Sequence, residues 1–412
     1  MLVSYLPRLA DSLLDDALER AGAVLIEGPK ASGKTETASR RAASAIRLDT
    51  DPTVAGQMAV DPALVLEGLT PRLLDEWQTY PELWNVVRRD VDDNRGQGRF
   101  ILTGSTAPSA DAIRHSGAGR FARLVMRTMS LFETGDSDGS VSLSALMTGD
   151  APRASTAKLD FSGLTRRIAR GGWPGQIGLS DRAAAGFLRD YVATIVNVDI
   201  DQAGKSRDPA RVMRLLTALA RSVATEVTIS TLARDEASLS RDAVREYLEA
   251  LSRIFIVEDQ PAWSSHLRSS ATLRQEPKRH LADPSLALSL VGGDETSLRE
   301  DLGYAGQLFE SLVVHDLRVY AAPIDGQVFH ARDSAGREID AIVQLPNGTW
   351  AAFEIKLGAR SETVESAAQS LRRFASNVDG RTGPILTVVT GFGPSYRRAD
   401  GVNVVAIGSL GP

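Results

Sequence analysis

The sequence contains no cysteine, which removes disulfide scaffolds, zinc–thiolate centres, iron–sulfur clusters and cysteine nucleophiles from consideration. Histidine is scarce, with five copies and no pair at the spacing of a metal motif. Long apolar runs are missing as well, and nothing approaches the ~20 residues that span a bilayer. The amino end is interrupted by Arg8, Asp11, Asp15, Asp16, Glu19 and Arg20. It lacks the basic start and apolar centre of a signal peptide, so a cytoplasmic location without a membrane partner is expected. An excess of basic residues is also absent. The formal net charge of −5 gives no chain-wide footprint for nucleic acid, while a local basic groove stays open. What remains is the balance of an ordinary globular chain, 43% apolar and 24% charged. Its 412 residues leave room for two to four domains of ~100–200 residues each.

Strand and helix signals divide this length into stretches. Ala23–Glu27 is a short apolar run that enters a Gly-rich loop, the profile of a buried parallel strand. Ala45–Asp49 and Arg99–Thr103 read as further strands with helix-prone segments between them, so an α/β unit with a parallel sheet is expected over residues 1–135. The loop Thr134–Ser140 closes it. A helical connector follows over 136–205, where Phe187, Leu188, Tyr191, Val192 and Ile195 recur at helical spacing. Over 206–295, Val212, Leu215, Leu216, Leu219 and Ala220 repeat the pattern. Thr228–Ala233 and a helix with Val244, Tyr247, Leu248 and Leu251 on one side come next, with Ser240 as N-cap. Ile254–Val257 then reads as a strand. Two short helices and a strand outline a winged helix-turn-helix, and a plain helical bundle is the alternative. The last stretch, 296–412, alternates again. Its strands are expected at Gln327–Ala331, Ile339–Val343, Trp350–Lys356 and Pro384–Thr390, with a hairpin turn at Pro346–Gly348.

Gly28-Pro29-Lys30-Ala31-Ser32-Gly33-Lys34-Thr35 fits G-x-x-x-x-G-K-[ST] at every fixed position. The spacing wraps the chain so that backbone N–H groups face phosphate oxygens, and glycine permits the backbone angles required. The following helix would present its positive end to the same anion. Lys34 reaches the β- and γ-phosphates in such a loop, and the Thr35 hydroxyl ligates Mg²⁺. The cofactors expected here are therefore ATP and Mg²⁺. Hydrolysis needs a carboxylate beside the Mg²⁺ and a second polar group on the attacking water. Leu73-Leu74-Asp75-Glu76 supplies Asp75 for the first task and Glu76 for the second, with a solvated helix start as the bland alternative. Ile101–Ser105 ends a strand with hydroxyls, so Thr103 or Ser105 can lie between the γ-phosphate and the acids. Two arginines follow in Gly119–Arg123, and Arg120 or Arg123 can stabilise transferred-phosphate charge or simply form a surface ion pair.

These motifs, in this order, resemble an AAA-type ATPase from residue 1 to about 135. Gly28–Thr35 stands as Walker A, Leu73–Glu76 as Walker B and Leu102–Ser105 as sensor 1. The whole chain is similar to a large family of bacterial and archaeal ATPases whose carboxyl half is a domain of unknown function. Gly117–Arg120, Met129–Glu133 and the Gly171-Gly172-Trp173-Pro174 run carry that likeness, and Glu36-Thr37 departs from the more usual Thr-Leu after Walker A. The resemblance implies a homo-oligomer in which Arg120 acts as a finger, in trans.

Asp340 and Glu354-Ile355-Lys356 have D-x13-E-x-K spacing across the hairpin turn, and Glu354 and Lys356 share one face of a strand. The acids Asp340 and Glu354 can hold Mg²⁺, Lys356 can stabilise charge, and Glu310 on an upstream helix can complete the group. This set resembles the PD-(D/E)xK nuclease fold, with Arg337–Asp340 and Phe353–Lys356 matching the ATPase family's carboxyl segments. An exposed Glu–Lys pair is the bland alternative. Two functional readings follow. One is an ATPase coupled to a DNA-binding winged helix and a Mg²⁺-dependent nuclease. The other is an ATP-dependent switch or scaffold that binds DNA or a protein partner and carries an inert carboxyl domain.

Overall fold

In the computed structural model the described residues are 5–106, 117–155, 158–200, 207–235, 239–264, 276–332, 338–376, 378 and 384–412. The chain divides into two compact units. One comprises Met1–Thr128 with Asn197–Arg207 and Glu249–Ile256; the other comprises Met129–Val196, Asp208–Leu248 and Val257–Pro412.

The first unit begins with helix α1 (Leu9–Arg20), strand β1 (Ala23–Glu27), helix α2 (Lys34–Ser39) and strand β2 (Ser44–Arg47). Helix α3 (Val54–Val60), strand β3 (Arg72–Asp75), helix α4 (Leu83–Asn94) and strands β4 (Phe100–Gly104) and β5 (Phe121–Val125) follow. All five strands run parallel in the order β2-β3-β4-β1-β5. The central strands β1, β3 and β4 are buried along their full length, and side-chain alternation sends their residues to two cores. Ala23, Leu25, Leu74, Phe100 and Leu102 join Trp77, Trp84 and Val87 on one face. Val24, Ile26, Leu73 and Ile101 join Leu14, Ala17 and Ala38 on the other. A sheet buried on both faces explains why these strands read as continuous apolar runs rather than alternating ones. Trp84 stacks on Phe121 with centroids 3.9 Å apart, and burial of side chains this large stabilises by roughly 2–3 kcal/mol each.

The second unit includes α5 (Phe161–Arg170), and its α6 (Asp181–Thr194) and α7 (Pro209–Arg221) bury residues of the apolar stripes expected there, including Leu188, Tyr191, Val212, Leu215 and Leu219. Helix α8 (Ile229–Asp235) comes next and then α9 (Arg241–Arg253), whose residues from Glu249 onward are counted with the first unit, and the Ser240 hydroxyl accepts from Ala243 N at 3.2 Å as an N-cap does. The strand expected at Ile254–Val257 is displaced. β6 spans Val257–Gln260, and it pairs antiparallel with β7 (Lys278–Leu281). Ile254 and Ile256 are apolar because they are buried in the turn that ends α9. There Ile256 N donates to Leu251 O at 2.9 Å while Phe255 takes a left-handed φ of 59°.

Beyond α10 (Pro284–Leu290), the long helix α11 (Leu302–Ala321) packs against strands of a six-stranded sheet. Its members are β8 (Gln327–Arg332), β9 (Glu338–Gln344), β10 (Trp350–Lys356), β11 (Ile385–Thr390), β12 (Tyr396–Arg397) and β13 (Asn403–Ala406), with α12 (Ser361–Ala375) between β10 and β11 in sequence. The order is β12-β13-β11-β10-β9-β8. β8, β9 and β10 are antiparallel neighbours, whereas β10, β11 and β13 run parallel. The turn expected at Pro346–Gly348 joins β9 to β10, and Gly348 takes a φ of 86° there, which glycine adopts without a steric penalty. Ile342, Ala352, Ala368, Leu371 and Val388 form the core beneath α12. Arg337 lies outside the described residues. Among the described residues no helix is long and apolar enough to cross a membrane.

His330 on β8 is wholly buried, and burial chiefly drives its pKa down to about 4. Lys278 and Arg332 add to this depression, while Glu338 and a backbone hydrogen bond oppose it; Glu226 stands 3.6 Å from its Nδ1. The folded chain therefore binds fewer protons at this site than the unfolded chain between pH 6.5 and 4. The stability tied to neutral His330 is present above about 6.5 and is lost as pH falls through that window, up to about 3 kcal/mol in all. His330→Gln should lose less stability than the parent between pH 6.5 and 4, measured by denaturant titration. Parallel pH curves for the two proteins would refute it.

Candidate functional site

The eight residues Gly28–Thr35 leave the carboxyl end of β1 and enter α2, between the strands where a parallel sheet places its ligand crevice. Gly28 has no room for a side chain, since a Cβ there would lie 2.0 Å from Met126 O. Gly33 has a φ of 99°, a conformation glycine takes without strain. Arg8 braces the loop by donating to Ser32 O and to Arg127 O, each at 2.8 Å. Lys34 is 6% exposed, and its ammonium donates to Gly28 O and Pro29 O at 2.8 Å. Burial lowers its pKa to about 8, with Glu76 and Asp75 opposing the shift.

Asp75 is the last residue of β3, in register with Thr103 of β4. Its Oδ1 accepts from the Thr35 hydroxyl at 2.8 Å and from the Thr103 hydroxyl at 2.5 Å. One carboxylate oxygen thus gathers groups from the loop, β3 and β4. Glu76 follows with a left-handed backbone, φ 57°, and its carboxylate accepts from the Gln78 amide. Trp77, between them, is 1% exposed and roots this turn in the core. Ser32 Oγ, Ser105 Oγ and Thr106 Oγ1 are buried without a hydrogen-bond partner among the described residues. Buried polar atoms of this kind normally meet a partner, and these sit on the loop or just beyond the end of β4.

The arginines separate. β5 runs parallel to β1, and Arg120 precedes it, its carbonyl accepting from Ala23 N at 3.0 Å. That is the amino end of the sheet, about 16 Å along β1 from the loop at ~3.3 Å per residue. Arg120 pairs there with Asp92 at 2.8 Å, so the fold does not bring it to the phosphate loop of its own chain. Arg123 lies beside Leu25 in register and stands 3.7 Å from Glu27 Oε2. Glu27 is a buried acid that the motif reading passed over. Burial raises its pKa against the pull of Arg123, and its position as the last residue before Gly28 was the one available signal.

In the second unit, Glu310 on α11, Asp340 on β9, and Glu354 and Lys356 on β10 come together as their spacing suggested. A fifth group, Lys278 on β7, joins them. Lys278 Nζ lies 2.6 Å from Glu310 Oε1 and 3.7 Å from Asp340 Oδ1. Lys356 Nζ lies 3.3 Å from Asp340 Oδ2 and 2.7 Å from Glu354 Oε2. Ile355 N and the Ser370 hydroxyl donate to Asp340 Oδ2 and Glu354 Oε1 at 2.7 and 2.9 Å. Burial, followed by Asp340, raises the pKa of Glu310 and Glu354. Burial also pushes Asp340 upward, but Lys356, Lys278 and the Ile355 N–H together hold it below the usual carboxylate range. Among the described residues no three His, Asp or Glu side chains are arranged to hold a metal ion. The Lys278 and Lys356 ammonium groups stand between the acids Glu310, Asp340 and Glu354 that were expected to hold Mg²⁺. Lys278 carried no signal in the sequence, since nothing local links a strand lysine to acids 32 and 62 positions away.

Residues 20–135, which carry the parallel sheet, the loop and the hydroxyl–carboxylate contacts, match the family profile described as AAA domain. Residues 162–297 and 305–410 match two domains of unknown function, DUF8612 and DUF4143. Over 354 residues the chain is 27% identical to the uncharacterized protein Rv2008c of Mycobacterium tuberculosis and equally to the uncharacterized protein Mb2031c of Mycobacterium bovis. Each alignment covers 85% of this chain and 73% of the relative. Among solved structures it is similar to the Walker-type ATPase PABY2304 of Pyrococcus abyssi, with 14% identity and a TM-score of 0.43 over 69% of this chain and 96% of that one.

Lys34→Ala removes the ammonium at the loop without opening the apolar core. Nucleotide affinity should fall about 10- to 100-fold, the worth of a charge-assisted hydrogen bond or two. Calorimetric titration with ATP checks this, and unchanged affinity would overturn the assignment of the loop.

Proposed function

We propose that this protein hydrolyses ATP with Mg²⁺ and uses the cycle as a switch that controls partner binding. The observation that carries the reading is the convergence of the Thr35 and Thr103 hydroxyls on one Asp75 oxygen, at the end of a loop that also holds the buried Lys34. A hydroxyl and a carboxylate are the hard oxygen donors Mg²⁺ prefers, so Thr35 and Asp75 fit the ion. Held by Thr35 and Asp75, Mg²⁺ would neutralise charge that develops on the phosphate oxygens. Lys34 and the loop N–H groups of Pro29-flanking residues Gly28 and Lys30–Gly33 bind the phosphates. Glu76 takes a proton from the attacking water, and Gln78 orients its carboxylate. Ser105, with its unpartnered hydroxyl, contacts the γ-phosphate or the water. Arg120 belongs to this reaction only if a neighbouring copy supplies it, which makes homo-oligomer formation part of the proposal.

The output lies in the residues after the ATPase domain. Helices α8 and α9 with the β6–β7 pair support the winged-helix reading. The exposed face of α9 mixes Arg241 and Arg245 with Asp242 and Glu249, and Arg245 is already paired with Asp242 at 2.8 Å. A face of mixed sign neutralises few phosphates, which favours a protein partner over sequence-independent DNA binding.

Glu76→Gln keeps the shape of the side chain and loses its charge. It should still bind ATP while turnover falls about 10²-fold or more, the usual contribution of a positioned base. Turnover assays with and without single- and double-stranded DNA test both halves of the reading. A variant as fast as the parent would move the water-orienting role elsewhere, and strong stimulation by DNA would replace the protein partner with a nucleic acid.

A further inference from the structure

The carboxyl-terminal cluster has the acids of a metal centre and a different cation in it. From Glu310 through Lys278, Asp340 and Lys356 to Glu354, charges alternate along a chain of contacts of 2.6, 3.7, 3.3 and 2.7 Å. The two lysines are not equivalent. The Lys356 side chain is 36% exposed and can swing its head into water, whereas that of Lys278 is 3% exposed.

The strand that carries Lys278 is fixed from several sides. His280, two residues on and so on the same side of β7, places its ring between Ser311 Oγ at 3.0 Å and Gln260 Oε1 at 3.1 Å. The Gln260 amide donates to Asp340 O at 3.0 Å and to Phe329 O at 2.9 Å. Arg279 grips Asp259 across the strand pair at 2.8 and 3.0 Å. The β6–β7 pair is thus locked to α11, β8 and β9, and Lys278 is delivered to a set position between Glu310 and Asp340.

We propose that Lys278 is a built-in counter-cation that closes the Glu310–Asp340–Glu354 cluster to divalent metal ions, so that this nuclease-like set of acids works as a metal-free ion-pair clasp joining β7 to α11 and β9. A divalent ion needs about six oxygen ligands at close range. It can acquire these acids only by displacing the ammonium of a side chain that is 3% exposed. The proposal goes beyond the ATPase reading and does not depend on it, because its test contains no nucleotide.

The full chain without nucleotide is titrated with Mn²⁺, followed by electron paramagnetic resonance of the free ion and by calorimetry. The parent should show no binding that Asp340→Ala removes. Lys278→Met keeps the stem and deletes the charge, and it should gain a Mn²⁺ site at least about tenfold tighter than any in the parent. Adding Asp340→Ala to it should abolish that site. If Lys278→Met does not fold, Lys278→Gln is titrated in the same way, and the parent comparison stands on its own. Parent binding that Asp340→Ala abolishes would overturn the proposal, as would folded Lys278 variants that bind Mn²⁺ no better than the parent.

Discussion

One oxygen of Asp75 accepts from both Thr35 and Thr103, and the geometry of the AAA domain depends on that shared acceptor. The bond to Thr35 ties the helix after the phosphate loop to the sheet. The bond to Thr103 ties β3 to β4 at their carboxyl ends, in the register Asp75↔Thr103. The shared contact is possible because the strands are parallel and adjacent, so residues 35, 75 and 103 end on one edge although the chain separates them widely. The apolar strands before those positions hold the edge still. Leu73 and Leu74 enter opposite cores, and a slip of one residue would exchange them.

The second unit applies the same logic with opposite charge balance. Three carboxylates, those of Asp340 and Glu354 buried and that of Glu310 half-buried, converge from α11, β9 and β10, and burial of unpaired anions is costly. Two lysines offset that cost, one from the same strand as Glu354 and one from a strand more than thirty residues upstream of Glu310. The first unit holds a lysine whose charge is weakened by burial, set for an anionic ligand. The second holds a lysine whose charge is secured by acids, set for none.

Much of this was legible in residue order. The strands Ala23–Glu27 and Trp350–Lys356 have the bounds their apolar patterns suggested, because a buried strand needs an unbroken run and a turn residue at its end. The phosphate loop was legible for a local reason, since its eight residues do their work within one turn of chain. The strand placed at Ile254 was misplaced because burial in a helix-ending turn and burial in a sheet demand the same apolar residues. Trp77 and Gln78 had no role in the sequence. One is a core anchor and the other a hydrogen-bond partner of Glu76, and both roles depend on what packs around them.

The sequence by itself determined the loop, the acid pair Asp75–Glu76, the parallel α/β character of the first unit and the D-x13-E-x-K hairpin. These are written in contiguous residues and in short-range periodicity, which local sterics and hydrophobic pattern translate directly. Tertiary structure alone decided that Arg120 sits at the far edge of the sheet from the loop, that Asp75 is shared by two hydroxyls, and that Lys278 enters the acidic cluster. Each of these depends on which strands become neighbours. Strand order follows from how the whole chain buries its apolar faces, and no window of sequence contains it.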